Sequence, residues 1–80
     1  MYYVYILRSK RTRRYYVDYT ADVAKRLLQH NSGKTKSLLR HIPLEIIKIE
    51  EYALYEDARR RERQIKQYKS GEAFKKLLNR

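Results

Sequence analysis

The sequence predicts an α+β chain of three strands, two main helices and a short closing helix, and three observations predict it. Two aromatic and β-branched runs lie on either side of a short basic stretch. A third such run follows the chain's single proline, Pro43. Between and after these runs, apolar residues recur at helical spacing. The first run, Tyr2 to Leu7, and the second, Tyr15 to Tyr19, read as a hairpin around Ser9-Lys10-Arg11-Thr12-Arg13-Arg14. Thr20 is a good N-cap for a helix ending at Asn31-Ser32-Gly33, with Asp22 in the first turn, where the helix dipole favours an acid. Val23, Ala24, Leu27 and Leu28 form its expected apolar face, while Asp22, Arg26 and His30 recur every four residues on another stripe.

Lys34 to His41 is a basic connector without clear periodicity, and Leu44 to Tyr52 is the third strand. A second helix is expected from Tyr55 to about Tyr68, with Glu56 and Asp57 in its first turn. Ser70-Gly71 interrupts it, and Glu72 to Asn79 carries Ala73, Phe74, Leu77 and Leu78 at the spacing of a short final helix. With no repeat, low-complexity tract or linker, one domain over residues 1–80 is expected.

Eighty residues leave little room for a large cofactor pocket. The absence of cysteine excludes a disulfide framework, a disulfide-linked partner, a thiolate metal site and a cysteine nucleophile. The apolar N-terminus meets Arg8 too early for a signal peptide, and no run approaches the ~18 residues of a membrane span. A cytoplasmic chain without a membrane partner is therefore expected. Twenty Lys and Arg against nine Asp and Glu give a formal charge of +11. Counterion release makes nucleic acid the first partner to expect, although anionic membranes and acidic proteins obey the same Coulombic rule. Nine tyrosines fit that partner, since phenols stack on bases, but about half of them serve equally well as amphipathic core.

Side chains alternate along a strand, so Tyr3 and Tyr5 share one face and Tyr16 and Asp18 share one face of the hairpin partner. Register can bring these pairs together as a site, or as ordinary cross-strand packing. Glu62 lies on the same helical stripe as Ala58 and Ile65, while Arg60, Arg61 and Arg63 can snorkel to water. A carboxylate facing inward needs a partner: an arginine such as Arg26, tyrosine hydroxyls or a metal ion.

Taken in order, these residues resemble a known family. Tyr3-Val4-Tyr5-Ile6-Leu7, Tyr15-Tyr16-Val17-Asp18-Tyr19-Thr20, Arg26-Leu27, His30-Asn31-Ser32-Gly33 and Ala58 to Glu62 are similar to the small single-domain GIY-YIG nucleases. Pro43-Leu44, Tyr68-Lys69-Ser70-Gly71 and Ala73 to Leu78 extend the likeness over nearly the whole chain. Each dipeptide is weak and the ordered set is specific. The resemblance implies a three-stranded antiparallel sheet flanked by helices, and hydrolysis of phosphodiesters with one divalent metal ion, Mg²⁺ or Mn²⁺. It assigns Tyr5 and Tyr16 to the two motif tyrosines, Arg26 to the catalytic arginine, Glu62 to the metal-binding glutamate and His30 to a histidine one turn after the arginine.

Those roles are chemically reasonable. Magnesium often takes only one or two protein carboxylates, with water and phosphate completing its shell. The ion and Arg26 would stabilise charge on the phosphate and its leaving oxygen. Tyr5 or Tyr16 could orient or deprotonate water, provided that nearby positive charge lowers a phenol pKa of ~10. His30 could orient water or phosphate, or simply cap the helix end as a surface histidine.

Three positions depart from the family pattern. Tyr3 replaces a glycine, as small members commonly have it. Asp18 replaces the second motif's glycine, where its charge would repel phosphate or add a metal ligand. Glu72 stands where relatives usually have asparagine, another move toward negative charge. Lys10, Arg11, Arg13 and Arg14 on the hairpin turn, with Lys34, Lys36 and Arg40 in the connector, are placed to contact backbone phosphates. The expected function is a structure-directed or weakly sequence-specific endonuclease, with DNA favoured over RNA. The alternatives are a catalytically silent nucleic-acid-binding module and a basic ribonucleoprotein subunit.

Overall fold

The computed structural model describes residues 1–34, 36–68 and 71–78. Along the chain run β1 (Tyr2–Ser9), β2 (Tyr15–Thr20), α1 (Val23–Asn31), a 3₁₀ helix (Lys36–His41), β3 (Leu44–Tyr52), α2 (Tyr55–Gln67) and α3 (Glu72–Leu78). The sheet is three-stranded and antiparallel, in the order β2-β1-β3. The expected helix break at Ser70 and helix end at Asn79 lie outside the described residues, as do Thr35 and Lys69.

The central strand explains the layering. Val4, Tyr5, Ile6 and Leu7 are all buried, because β1 is paired on both edges and covered on both faces. Val4 and Ile6 pack with Ala58 and Ile65 of α2 and Phe74 of α3. Tyr5 and Leu7 pack on the opposite face with Leu38, Leu44, Val23 and Leu27. The two tyrosine-bearing strands therefore present Tyr5, Tyr16 and Asp18 toward α1, and Val17 and Tyr19 toward α2. A register shift between Ile6 and Leu7 lets β3 contribute Ile46 to one face and Ile47 to the other.

Several local expectations change. Asp22, not Thr20, caps α1: its backbone is extended and its Oδ1 accepts the Lys25 N–H at 3.0 Å, while Thr20 Oγ1 accepts the Asp22 N–H at 3.2 Å. Thr20 thus closes the turn before the cap. The inward face of α1 is Val23, Leu27 and His30, so the expected core residues Ala24 and Leu28 turn outward, Leu28 being 73% exposed. The connector is a 3₁₀ helix that buries Leu38 and His41. Arg61 does not snorkel freely; its Nε and Nη2 grip Glu50 of β3 at 2.8 and 3.1 Å.

Ser9 ties the hairpin turn to that connector. Its Oγ donates to the His41 carbonyl at 2.6 Å and accepts the N–H groups of Arg11 and Thr12 at 3.1 and 2.9 Å. Thr12 Oγ1 reaches His41 Nδ1 at 2.7 Å. Arg13 holds a positive φ of 66°, which the bonds on either side of it impose on the turn.

Candidate active site

Tyr5 and Asp18 face each other across the hairpin, a pairing fixed by the β1–β2 register. The Tyr5 hydroxyl donates to Asp18 Oδ2 at 3.3 Å and lies 3.1 Å from His30 Nε2. From α1, Arg26 donates to the same Oδ2 through Nε at 3.3 Å and Nη2 at 3.1 Å. Arg26 and His30 reach one spot because four residues is about one helical turn. Asp18 Oδ1 is held by the Tyr19 backbone N–H at 2.8 Å. One carboxylate oxygen thus collects the guanidinium and the phenol, with the imidazole at 3.8 Å.

The electrostatics reverse one expectation. Burial, then the Asp18 charge, pushes the Tyr5 phenol far above its ordinary value, and Arg26 only partly opposes them. Tyr5 is a neutral hydrogen-bond donor here and not a poised base. Burial, followed by Arg26, lowers His30, with Asp18 opposing. If Tyr5 O–H points at Asp18, a neutral His30 bearing its proton on Nε2 donates to the phenol oxygen, which leaves Nδ1 as a bare acceptor. That nitrogen is buried and has no hydrogen-bond partner among the described residues. His30 is therefore part of the core, not the surface cap that its helix-end position suggested.

Other candidates lie elsewhere. Tyr16 shares the Tyr5 face but packs its ring against His41, 5.3 Å between centroids. His41 was missed by the sequence reading; a histidine in a basic connector gives no signal of burial. Glu72 is 83% exposed and lies 4.0 Å from Lys75, away from the cluster. Glu62 is buried on the Ala58–Ile65 stripe as expected, at 8% exposure, yet its partner is Lys66 Nζ at 3.1 Å and not Arg26. It stands on the α2 side of the sheet, near Tyr19, whose hydroxyl is raised first by its bond to Tyr55, with Glu62 adding and Arg59 opposing. Asp18 and Tyr19 are adjacent on edge strand β2 with opposite orientations. Glu62 and the Arg26 cluster therefore flank the same edge strand from its two faces.

Among the described residues, no group of three or more His, Asp or Glu is gathered as a ready metal cage. The residues still fit a hard divalent cation bound mostly by water and substrate, because Glu62 is a mostly buried carboxylate that already seats a cation, the Lys66 ammonium. The Arg26 cluster shows the mirror arrangement, an internal carboxylate seated where positive charge and donors converge.

The basic residues expected to meet phosphates, Lys10, Arg11, Arg13, Arg14, Lys34, Lys36 and Arg40, are all exposed. The Ser9–His41 and Thr12–His41 bonds, with Lys10 N–H donating to the Pro43 carbonyl at 3.0 Å, join the two segments that carry them.

Residues 1–76 match the model of the GIY-YIG catalytic domain. A UPF0213 protein of Streptococcus pneumoniae serotype 4 is 37% identical over 68 residues, which span 84% of this chain and 68% of that protein. No solved structure matches the chain significantly.

Proposed function

The chain belongs to the GIY-YIG family of nucleases, and from that premise we propose that it is a metal-dependent endonuclease that hydrolyses phosphodiester bonds in DNA, reading structure more than sequence. The observation that carries the reading is the pair of internal surrogate charges about β2. Asp18 Oδ2 sits where Arg26 and Tyr5 converge, within 3.1 to 3.3 Å of their donors, as a phosphate oxygen would. Lys66 sits on Glu62 as a cation would.

In this reading a phosphodiester laid over the β2 edge displaces the Asp18 carboxylate. Arg26 then binds a non-bridging oxygen with its planar fork, and Tyr5 donates its hydroxyl to the same group. His30, neutral and buried, donates from Nε2 to the Tyr5 oxygen and holds the phenol in place. The phosphodiester brings its own negative charge to that spot and burial is unchanged, so Tyr5 stays a neutral hydrogen-bond donor to it. Glu62 would hold Mg²⁺ or Mn²⁺, and the ion would supply charge stabilisation at the phosphate. The joined basic turn and connector would contact flanking phosphates without reading bases, which gives steep salt dependence. A cytoplasmic setting accords with this substrate, and no helix among the described residues is long and apolar enough to cross a membrane.

A second reading has its own observation. Asp18 already pairs with Arg26, so the chain would bind nucleic acid without cutting it. One experiment separates the two: purified protein is incubated with linear, nicked, branched and single-stranded DNA and matching RNA, with Mg²⁺ or Mn²⁺. Cleavage that disappears in Arg26→Ala and Glu62→Gln supports the nuclease. Cleavage that appears only in Asp18→Gly makes the native chain a binder.

A further inference from the structure

We propose that the outer face of α2 is a separate binding surface for unpaired nucleic acid, with one base stacked on Tyr55 and the phosphates that follow seated on Arg59 and Arg63. These three residues are four apart, so they form one helical stripe with steps of about 6 Å, comparable to the step between successive phosphates of an extended strand. A surface groove of about 610 Å³ runs beside the stripe, lined by Glu56, Arg59, Arg60, Arg63, Gln64 and Gln67. Arg60 is 3.6 Å from Asp57, whereas Arg59 and Arg63 are exposed and make no ion pair among the described residues. Two cations held at helical spacing on one open groove are complementary to a polyanion.

The head of the stripe has a different chemistry. Tyr55 is 45% exposed, yet its ring is fixed edge-to-face against Tyr2 at 5.7 Å and Tyr19 at 5.6 Å, and its hydroxyl meets that of Tyr19 at 3.1 Å. A ring already immobilised loses little freedom when a base stacks on it. Glu56 and Asp57 beside it discourage a phosphate at this end, so a base is preferred at the head and phosphates further along. A duplex hides its base faces and cannot use Tyr55, which commits the surface to a single strand. The surface lies across the sheet from Arg26, adjoins Glu62 on the same helix, and depends on nucleic-acid binding alone, not on hydrolysis.

The chain contains no tryptophan, so Tyr55→Trp places a lone reporter at the head of the stripe. In EDTA, where cleavage is silent, a short oligothymidylate or oligouridylate should quench its fluorescence, while a blunt duplex and an abasic strand of equal length should not. In otherwise native protein, Tyr55→Ala should weaken binding of the single strand by roughly tenfold or more. Tyr55→Phe, which keeps the ring and loses only the hydroxyl bond, should stay within about twofold. Arg59→Gln with Arg63→Gln should flatten the dependence of log affinity on log salt by about 1.4, two single-strand phosphates at ~0.7 each. Absence of quenching, or equal binding of the abasic strand together with an unchanged salt slope, would overturn the proposal. Quenching without any cleavage in Mg²⁺ would leave it standing and remove the nuclease reading; cleavage without quenching would do the reverse.

Discussion

Two sets of carboxylate, guanidinium and phenol lie on opposite faces of the sheet, and their wiring differs. On the α2 face, Arg61 spans both oxygens of Glu50 at 2.8 and 3.1 Å, its Nη1 reaches Gln64 at 2.8 Å, and Tyr52 donates to Glu50 at 2.8 Å. On the α1 face, Arg26 and Tyr5 crowd a single oxygen of Asp18 at 3.1 to 3.3 Å, and His30 Nδ1 has no partner among the described residues. The first set is short and saturated, joining α2 to β3 as a brace. The second is longer and centred on one oxygen, which is why the proposed function has an incoming anion replace that carboxylate. The same residue types can therefore stabilise a fold or wait for a ligand, and the saturation of their hydrogen bonds tells which.

The sharpest test of this contrast is a pair of arginine truncations. Arg26→Ala should reduce cleavage by about 10²- to 10³-fold, the usual effect of losing one donor to a developing charge. Its melting temperature should move by only a few degrees, since the Arg26 side chain is 44% exposed, twice as much as that of Arg61. Arg61→Ala should do the opposite, lowering stability by about 1–3 kcal/mol in urea titrations while sparing cleavage of the folded fraction. Equal loss of stability in both variants would erase the distinction.

The brace also predicts a pH response. Arg61 holds the Glu50 carboxyl below its usual range. The stability it contributes is complete above the unfolded value of ~4.3 and is lost as pH falls through the lower folded value. Urea midpoints should drop in that acid window, and Glu50→Gln should flatten the drop.

A smaller effect is expected at Asp18. Asp18→Asn removes the internal anion while keeping the side chain's shape, and should strengthen binding of a phosphate-rich oligonucleotide by about tenfold at low salt. Unchanged affinity would mean that Arg26 is not the point of entry.

The smallest effect concerns His30. Burial lowers its pKa, so the unfolded chain takes up a proton that the folded chain resists. Stability should be complete above the unfolded value of ~6.5 and fall as pH drops below it. His30→Gln should shallow the slope of urea midpoint against pH between 5 and 7; an identical slope would assign the effect to other groups.

Much of the architecture was legible because it rests on local chemistry. The β-branched and aromatic runs marked all three strands, and Leu44 to Tyr52 forms one throughout. Glu62 on the Ala58–Ile65 stripe was legible as a buried carboxylate because period alone sets which face it takes. Its Lys66 partner and the Arg26–Asp18 pair were not, since both partners depend on how α1 and α2 dock on the sheet. Likewise Leu28 belonged to a plausible apolar face of α1, and the rotation that sends it outward is fixed only by packing with Val23, Leu27 and His30. The burial of His41 depends on the hairpin turn folding over the connector, a long-range event with no local signature.

The tethering of Asp18 has a kinetic corollary. Because it belongs to the chain, this carboxylate competes at a fixed effective concentration on the order of millimolar or higher, whatever the surroundings contain. Free orthophosphate or a mononucleotide must outcompete it from bulk solution with one contact, whereas a polymer gripped elsewhere presents its phosphodiester at a comparable local dose. On the proposed reading the site would therefore select its ligands by length and respond little to small metabolites.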